Sequence, residues 1–103
     1  MILRIVMMEF RDEARETFLS TFETYREAIR SQPGCRALTL LSDAAKPTRF
    51  ITHSYWDDAE SLEAYRHSRT FNEVWPLTKV LFAEAPKAWS FVVEDGQLPG
   101  FEK

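Results

Sequence analysis

The chain has 103 residues, which is the size of one small domain and leaves no room for a second. Hydrophobic residues make up 45% of it and aromatic residues 14%, so it has the apolar material for a core and is not a disordered chain. The formal net charge of −3 comes from intermixed acidic and basic residues, without the basic stripe that phosphate neutralisation requires. We therefore expect one globular domain that does not bind nucleic acid.

The cysteine content and the apolar runs predict a cytoplasmic protein. Cys35 is the single cysteine, so no intrachain disulfide can form and a reducing compartment suits the chain. The run from Met1 to Met8 is interrupted by Arg4 and lacks both a basic lead-in and a small-residue cleavage site, so it predicts a strand and not a signal sequence. No stretch approaches the ~20 apolar residues of a membrane-spanning helix.

The first third of the chain predicts a strand followed by a helix. Residues 2–10 are apolar at nearly every position, as in a strand buried on both faces. Between Asp12 and Ser31, apolar residues recur at helical spacing and form one stripe, made of Phe18, Phe22, Tyr25 and Ile29. The pair Pro33-Gly34 ends this helix, because proline cannot continue it and glycine readily adopts the backbone conformation needed to leave it.

A hairpin and a short helix follow. Strands are predicted from Cys35 to about Ser42 and from Arg49 to Trp56, joined by a turn. Asp57 and Asp58 can cap a helix by accepting hydrogen bonds from its free N–H groups. This helix should run to about His67.

The last third predicts another helix and a final strand. Ser68 and Thr70 can cap the helix, and Thr70 could form a capping box with Glu73. Pro76 would kink this helix or mark its start. The last strand runs from about Ala88 to Val93.

The resulting order is β-α-β-β-α-(α)-β, the ferredoxin-like α+β pattern, in which a four-stranded antiparallel sheet carries its helices on one face. We place this domain at residues 1–95 and treat residues 96–103 as a C-terminal tail.

Both faces of the predicted sheet are apolar. In the first strand, for example, Val6 and Met8 lie opposite Ile5 and Met7. The helices suffice for one face, and the other would expose a larger apolar patch than a monomer normally does. The sequence therefore predicts a homodimer joined sheet to sheet across a two-fold axis, which is a dimeric α/β barrel.

Two histidines are candidates for acid–base chemistry. His53 lies in the middle of a strand, and its imidazole could accept a proton near neutral pH. Alternatively, it is a strand histidine that bonds a neighbour or faces water. His67 ends a short helix, where an imidazole interacts favourably with the helix dipole, so a structural role is expected. The two histidines show no metal-ligand spacing, and we predict no metal site.

Five large aromatic residues are spread over the return strand, both C-terminal helices and the last strand: Trp56, Tyr65, Phe71, Trp75 and Trp89. Such a set predicts a flat apolar pocket for a polycyclic or quinone-like ligand. The alternative is an ordinary core, which the helical spacing of Phe71 and Trp75 also fits.

Other reactive residues give weaker signals. Arg26, Arg49, Arg66 and Lys79 could hold an anionic substrate, although single cations on helix surfaces are usually solvated. Cys35 is expected to be a small buried residue and not a nucleophile. The sequence contains neither a glycine-rich phosphate loop nor a Rossmann fingerprint, so no nucleotide cofactor is predicted.

Four segments carry a resemblance to a known family: Pro33-Gly34-Cys35, residues 50–56, residues 62–68 and residues 85–90. Over about residues 2–93, the chain resembles an antibiotic biosynthesis monooxygenase domain. The most telling features are a tryptophan that ends the third strand, a Leu-Glu-x-Tyr-Arg helix, and a Ser-x-x-Phe opening the next helix. The resemblance implies a dimeric α+β barrel and a cofactor-free oxygenase that acts on a phenolic or quinol-type aromatic small molecule.

In such an oxygenase, His53 and Tyr65 are the predicted catalytic residues, and Trp56, Phe71, Trp75 and Trp89 form the substrate pocket. His53 or a bound water would remove a phenolic proton, and the resulting anion would reduce O₂ directly, without a cofactor. Haem degradation, known on related folds, is disfavoured because Trp75 stands where that branch has its iron-binding histidine. An isomerase of a small metabolite and a non-catalytic ligand-binding module stay open as alternatives.

Overall fold

The structure of the protein is a computed structural model that describes residues 1–96. The strands are β1 (Ile2–Glu9), β2 (Cys35–Ser42), β3 (Arg49–Trp56) and β4 (Lys87–Val92). The helices are α1 (Arg15–Arg30), α2 (Ala59–Arg66) and α3 (Arg69–Lys79), with a 3₁₀ turn at Asp12–Ala14 before α1. This order confirms the ferredoxin-like α+β prediction. All of the predicted tail except Gly96 lies outside the described residues.

The four strands form one antiparallel sheet in the order β2-β3-β1-β4. Ile5 of the central strand pairs with His53 on one side and with Trp89 on the other, and His53 pairs in turn with Thr39. Because side chains alternate along a strand and paired residues share a face, these four residues lie on the same side of the sheet. We call this side the open face, because the helices cover the other.

The helix-covered face carries the alternate positions of the same strands. Val6 pairs with Thr52 and with Ala88 at the centre of this face. The main core packs here against α1 and comprises Met8, Phe10, Phe18 and Phe50. A second cluster, towards α2, comprises Cys35, Trp56 and Leu62. Burial of each large apolar side chain contributes about 1.5–3 kcal/mol, so the two clusters fix the helices on this face.

Capping side chains set where α2 and α3 begin. Asp58 accepts a hydrogen bond from the backbone N–H of Ser61 at 2.8 Å, which confirms the predicted cap of α2. Ser68 caps α3 by accepting from a backbone N–H three residues on. The predicted capping box of Thr70 and Glu73 is wrong, because α3 already begins at Arg69 and Thr70 lies within its first turn.

The structure decides between the two alternatives for Pro76, and two strand ends differ slightly from expectation. Pro76 lies inside α3 and does not mark its start. The first strand ends at Glu9, one residue early, and the last strand begins at Lys87, one residue early. These are changes at element ends, where hydrogen bonding is weakest.

The turn between α1 and β2 is packed tightly against α2. Gly34 has φ +85°, and a Cβ added there would collide with the side chain of Ser61. Its carbonyl accepts a hydrogen bond from the backbone N–H of Asp57 at 2.9 Å, just before α2 begins. Glycine is therefore required both by the left-handed backbone and by the close approach of α2.

We predict that Gly34→Ala lowers the free energy of unfolding by about 1–3 kcal/mol, because alanine is strained at this φ and its methyl group displaces Ser61. Urea denaturation followed by circular dichroism measures the change. Gly96→Ala is the matched control, since Gly96 also has a positive φ but has open space around it and should give a smaller loss. Equal stability of Gly34→Ala and wild type would contradict the packing described for this turn.

Candidate functional site

A cavity of about 290 Å³ lies between the helix-covered face and the three helices. The sheet side of it includes Val6, Met8, Thr52, Ser54 and Trp56. The helix side includes Phe18, Phe22, Leu62, Tyr65, Phe71 and Trp75. A cavity of this size and lining is suited to a small aromatic molecule, since ligand pockets usually start at about 300 Å³ and are mostly apolar.

Four aromatic rings form a continuous series along the cavity. Trp56 stacks on Tyr65 with ring centroids 5.2 Å apart, and Tyr65 meets Phe71 edge to face at 5.3 Å. Phe71 then stacks on Trp75 at 5.6 Å, because residues four apart lie on the same face of α3. We call Trp56, Tyr65, Phe71 and Trp75 the aromatic wall. Flat rings of this kind favour a planar ligand through stacking and edge contacts.

A hydrogen bond sets the ring orientation of Trp56, and burial sets the protonation state of Tyr65. The indole N–H of Trp56, which is fully buried, donates to Ser54 Oγ at 2.9 Å and so holds the ring orientation. Burial, and secondarily the nearby Cys35, raises the pKa of Tyr65 well above its ordinary value. The phenol of Tyr65 therefore stays protonated at physiological pH and can donate a hydrogen bond to a ligand.

The structure brings together four of the six residues predicted from sequence, namely the aromatic wall. His53 and Trp89 do not reach the cavity, because both pair with Ile5 on the open face. The six predicted residues therefore lie on both faces of the sheet and do not line one cavity. Strand alternation alone could have predicted this separation. His53 is an odd number of positions from Trp56 in the same strand, so their side chains lie on opposite faces.

The cations named from sequence have different surroundings. Arg26 pairs with Glu23 at 2.9 Å, on the surface of α1. Arg49 at the start of β3 pairs with the buried Glu9 at the end of β1, at 2.9 Å. Of the four cations, Arg66 lines the cavity, whereas the lining contains none of the other three.

Sequence reasoning missed Arg4 as a site residue. Arg4 lies on the helix-covered face of β1, lines the cavity, and donates from Nη1 to Ser90 Oγ at 3.0 Å. The available signal was its position: a charged residue interrupts an otherwise apolar strand on the same face as Val6 and Met8. A buried charge costs free energy unless it is paired or hydrogen-bonded, so a charged residue at this position indicates a specific role.

The remaining reactive side chains lie outside the cavity lining. Burial raises the pKa of the Cys35 thiol, which disfavours the nucleophilic thiolate. His67 is exposed at the end of α2 and contacts Glu63 Oε2 at 2.8 Å. Within residues 1–96, no three side chains of the His, Cys, Asp or Glu type are grouped to hold a metal ion. No helix in this range is long and apolar enough to cross a membrane.

Comparison with known proteins finds similarity in sequence and in fold. The family model for antibiotic biosynthesis monooxygenases matches residues 1–75. A crystal structure of an antibiotic biosynthesis monooxygenase superposes with a TM-score of 0.86 at 21% identity and covers 92% of this chain and 100% of its own. Rv0793 from Mycobacterium tuberculosis gives 0.85 at 16% identity, with coverages of 92% and 96%.

A further similar structure is a mutant of SnoaB, a cofactor-independent oxygenase from Streptomyces nogalater. It superposes with a TM-score of 0.82 at 17% identity and covers 92% of this chain and 94% of its own. Identities this low show a common fold. Among curated proteins, none matches the chain.

Proposed function

The chain belongs to the antibiotic biosynthesis monooxygenase family, and from that premise we propose that it is a cofactor-independent monooxygenase of an electron-rich phenolic or quinol-type aromatic molecule. The observation that carries the proposal is the aromatic wall, which faces an apolar cavity of the size of a small aromatic ligand. The similarity of the fold to SnoaB, a cofactor-independent oxygenase, supports it.

The chemistry needs no reductant besides the substrate. A phenolate transfers an electron to O₂, and the two radicals combine at a ring carbon to form a peroxide. The O–O bond then breaks: one oxygen atom stays as a carbonyl, and the other leaves as water with the hydrogen of that carbon and the phenolic proton. A phenol and O₂ thus give a quinone and water, and the substrate supplies all four electrons.

We assign the aromatic wall to binding and orienting the ring and to excluding water from the reactive intermediates. Tyr65 is the proposed catalytic donor, because its protonated phenol can hydrogen-bond the oxygen on which negative charge develops. The lining of the cavity contains no histidine or carboxylate among residues 1–96, so we assign the removal of the phenolic proton to water and not to His53.

We predict that Tyr65→Phe lowers kcat for oxygen uptake by about 100-fold, the usual effect of removing one donor to a developing oxyanion. An oxygen electrode and a panel of quinols and polycyclic phenols measure this against the autoxidation rate. Tyr25→Phe is the matched control, since Tyr25 lies on α1 outside the cavity lining and its loss of a hydroxyl should leave uptake within about 2-fold.

A large loss of uptake in His53→Ala with normal uptake in Tyr65→Phe would contradict these assignments. Turnover of a substrate under strict anaerobiosis would favour an isomerase instead, and tight binding without turnover would favour a binding module.

We also propose that two chains pair through their open faces. Three large apolar side chains on this face are strongly exposed in the single chain: Leu41 (43%), Trp89 (42%) and Phe91 (48%). The register of the strands places five more residues of mostly apolar character beside them: Leu3, Ile5, Met7, Ile51 and Tyr55. A continuous apolar surface of this kind is covered by a second sheet in a symmetric dimer.

We predict that the wild-type protein sediments at twice the chain mass of 12.1 kDa and that Trp89→Asp sediments as a monomer. The reason is that a carboxylate buried between two apolar sheets lacks a partner. Leu77→Asp is the matched control, because Leu77 is 49% exposed but lies on α3, away from the open face. A monomeric wild-type protein at micromolar concentration would contradict the proposal.

A further inference from the structure

Two guanidinium groups line the same cavity. Arg4 comes from the central strand, and Arg66 from the last turn of α2. Burial, and secondarily the positive charge of Arg66, lowers the pKa of Arg4. Like charges that converge on one cavity indicate a site for a negative charge.

Neither cation is fully neutralised by the described residues. Within residues 1–96, the hydrogen-bond partner of Arg4 is the uncharged hydroxyl of Ser90, and no carboxylate pairs with it. Arg66 makes one long contact of 3.4 Å with Glu63, whose other carboxylate oxygen is held by His67 at 2.8 Å. By contrast, five other arginines each pair with a carboxylate at 3.1 Å or less: Arg11, Arg26, Arg36, Arg49 and Arg69. Arg30, which is outside the cavity lining, donates to the backbone carbonyl of Cys35.

The positions of Arg4 and Arg66 define where the negative charge of a ligand would lie. Arg66 and Ala88 are exposed residues of the lining, so the cavity meets solvent between α2 and the edge strand β4. Arg4 lies beside this opening, because it pairs with Ser90 of β4. The aromatic wall extends from α2 along α3. A ligand can therefore place a ring against the wall and a charged group at the opening.

We infer that Arg4 and Arg66 form an oxyanion site, and that the ligand is an acidic aromatic molecule whose carboxylate or phenolate oxygen they bind. The aromatic part of this inference rests on the proposed function, which it deepens by naming the substrate class. Guanidinium groups suit the purpose, because each presents several N–H donors in a plane and can bind a carboxylate through two of them. A neutral aromatic ligand would leave Arg4 with the uncharged hydroxyl of Ser90 as its partner.

The test compares 2-naphthoate with 2-naphthamide, which has nearly the same shape but no charge, by calorimetric titration of the full-length protein. We expect 2-naphthoate to bind about 10–100-fold more tightly, the usual range for hydrogen bonds to a charged group. Arg4→Gln and Arg66→Gln should each weaken 2-naphthoate binding by about 10-fold and leave 2-naphthamide binding nearly unchanged. Arg69→Gln is the matched control, because Arg69 is an exposed arginine outside the cavity lining.

A third ligand, 2-naphthol, distinguishes the two sources of charge. Carboxylate binding should stay constant from weakly acidic to weakly alkaline pH, whereas 2-naphthol should bind more tightly as it ionises if a phenolate occupies the site. If 2-naphthol binds more tightly as the pH rises, and Arg4→Gln abolishes that increase, the site binds a phenolate. If the affinity for 2-naphthol does not increase, the site binds a carboxylate.

Equal affinity for 2-naphthoate and 2-naphthamide, no binding of 2-naphthoate, or unchanged 2-naphthoate affinity in both variants would overturn the inference. Arg66→Gln keeps the test valid if Arg4→Gln does not fold, because Arg66 is exposed. Binding is measured without turnover. If the anion binds as expected but no substrate gives oxygen uptake, the proposed monooxygenase function is refuted and the oxyanion site is not. Oxygen uptake with no preference for the anion would refute the oxyanion site alone.

Discussion

The alternation of side chains in the central strand determines the arrangement of the whole molecule. β1 is hydrogen-bonded to β3 on one side and to β4 on the other, so its register fixes which residues of three strands share a face. Arg4 and Val6 face the cavity, whereas Ile5 faces the opposite side together with His53 and Trp89. A shift of one residue would exchange the cavity lining with the open face.

The cavity exists because α2 and α3 are held over the sheet at a fixed distance. Gly34 allows the α1–β2 turn to approach Ser61 closely, and Ser68 ends the connection between the two helices by capping α3. Trp56 is fully buried and hydrogen-bonded to Ser54, and its ring stacks on Tyr65. A site built on strands and helices in this way keeps its geometry, which is what orientation of a planar substrate requires.

Local patterns in the sequence were sufficient to predict the fold, whereas the site needed contacts between distant segments. The hairpin strands from Cys35 and from Arg49 were predicted at their observed ends, because turn residues bound them on both sides. The cap of α3 was ambiguous, since Ser68 and Thr70 are both good capping residues and only the helix start decides between them. The ability of His53 to accept a proton suggests a place beside the aromatic residues. Strand alternation instead puts His53 on the opposite face of the sheet. Arg4 and Arg66 line the same cavity because of how α2 packs on β3 and α3, and no local pattern in the sequence predicts that packing.

Binding of ligands in the cavity on the helix-covered face can be tested with the three tryptophans of the chain, because they lie on both sides of the sheet. The measurement is a titration of ¹⁵N-labelled protein with 2-naphthoate, followed through the three indole N–H resonances, each assigned by a Trp→Phe variant. If ligands bind in this cavity, the resonances of Trp56 and Trp75 shift with the ligand while that of Trp89 stays in place. A shift of the Trp89 resonance alone would place the ligand on the open face and would refute binding in the cavity.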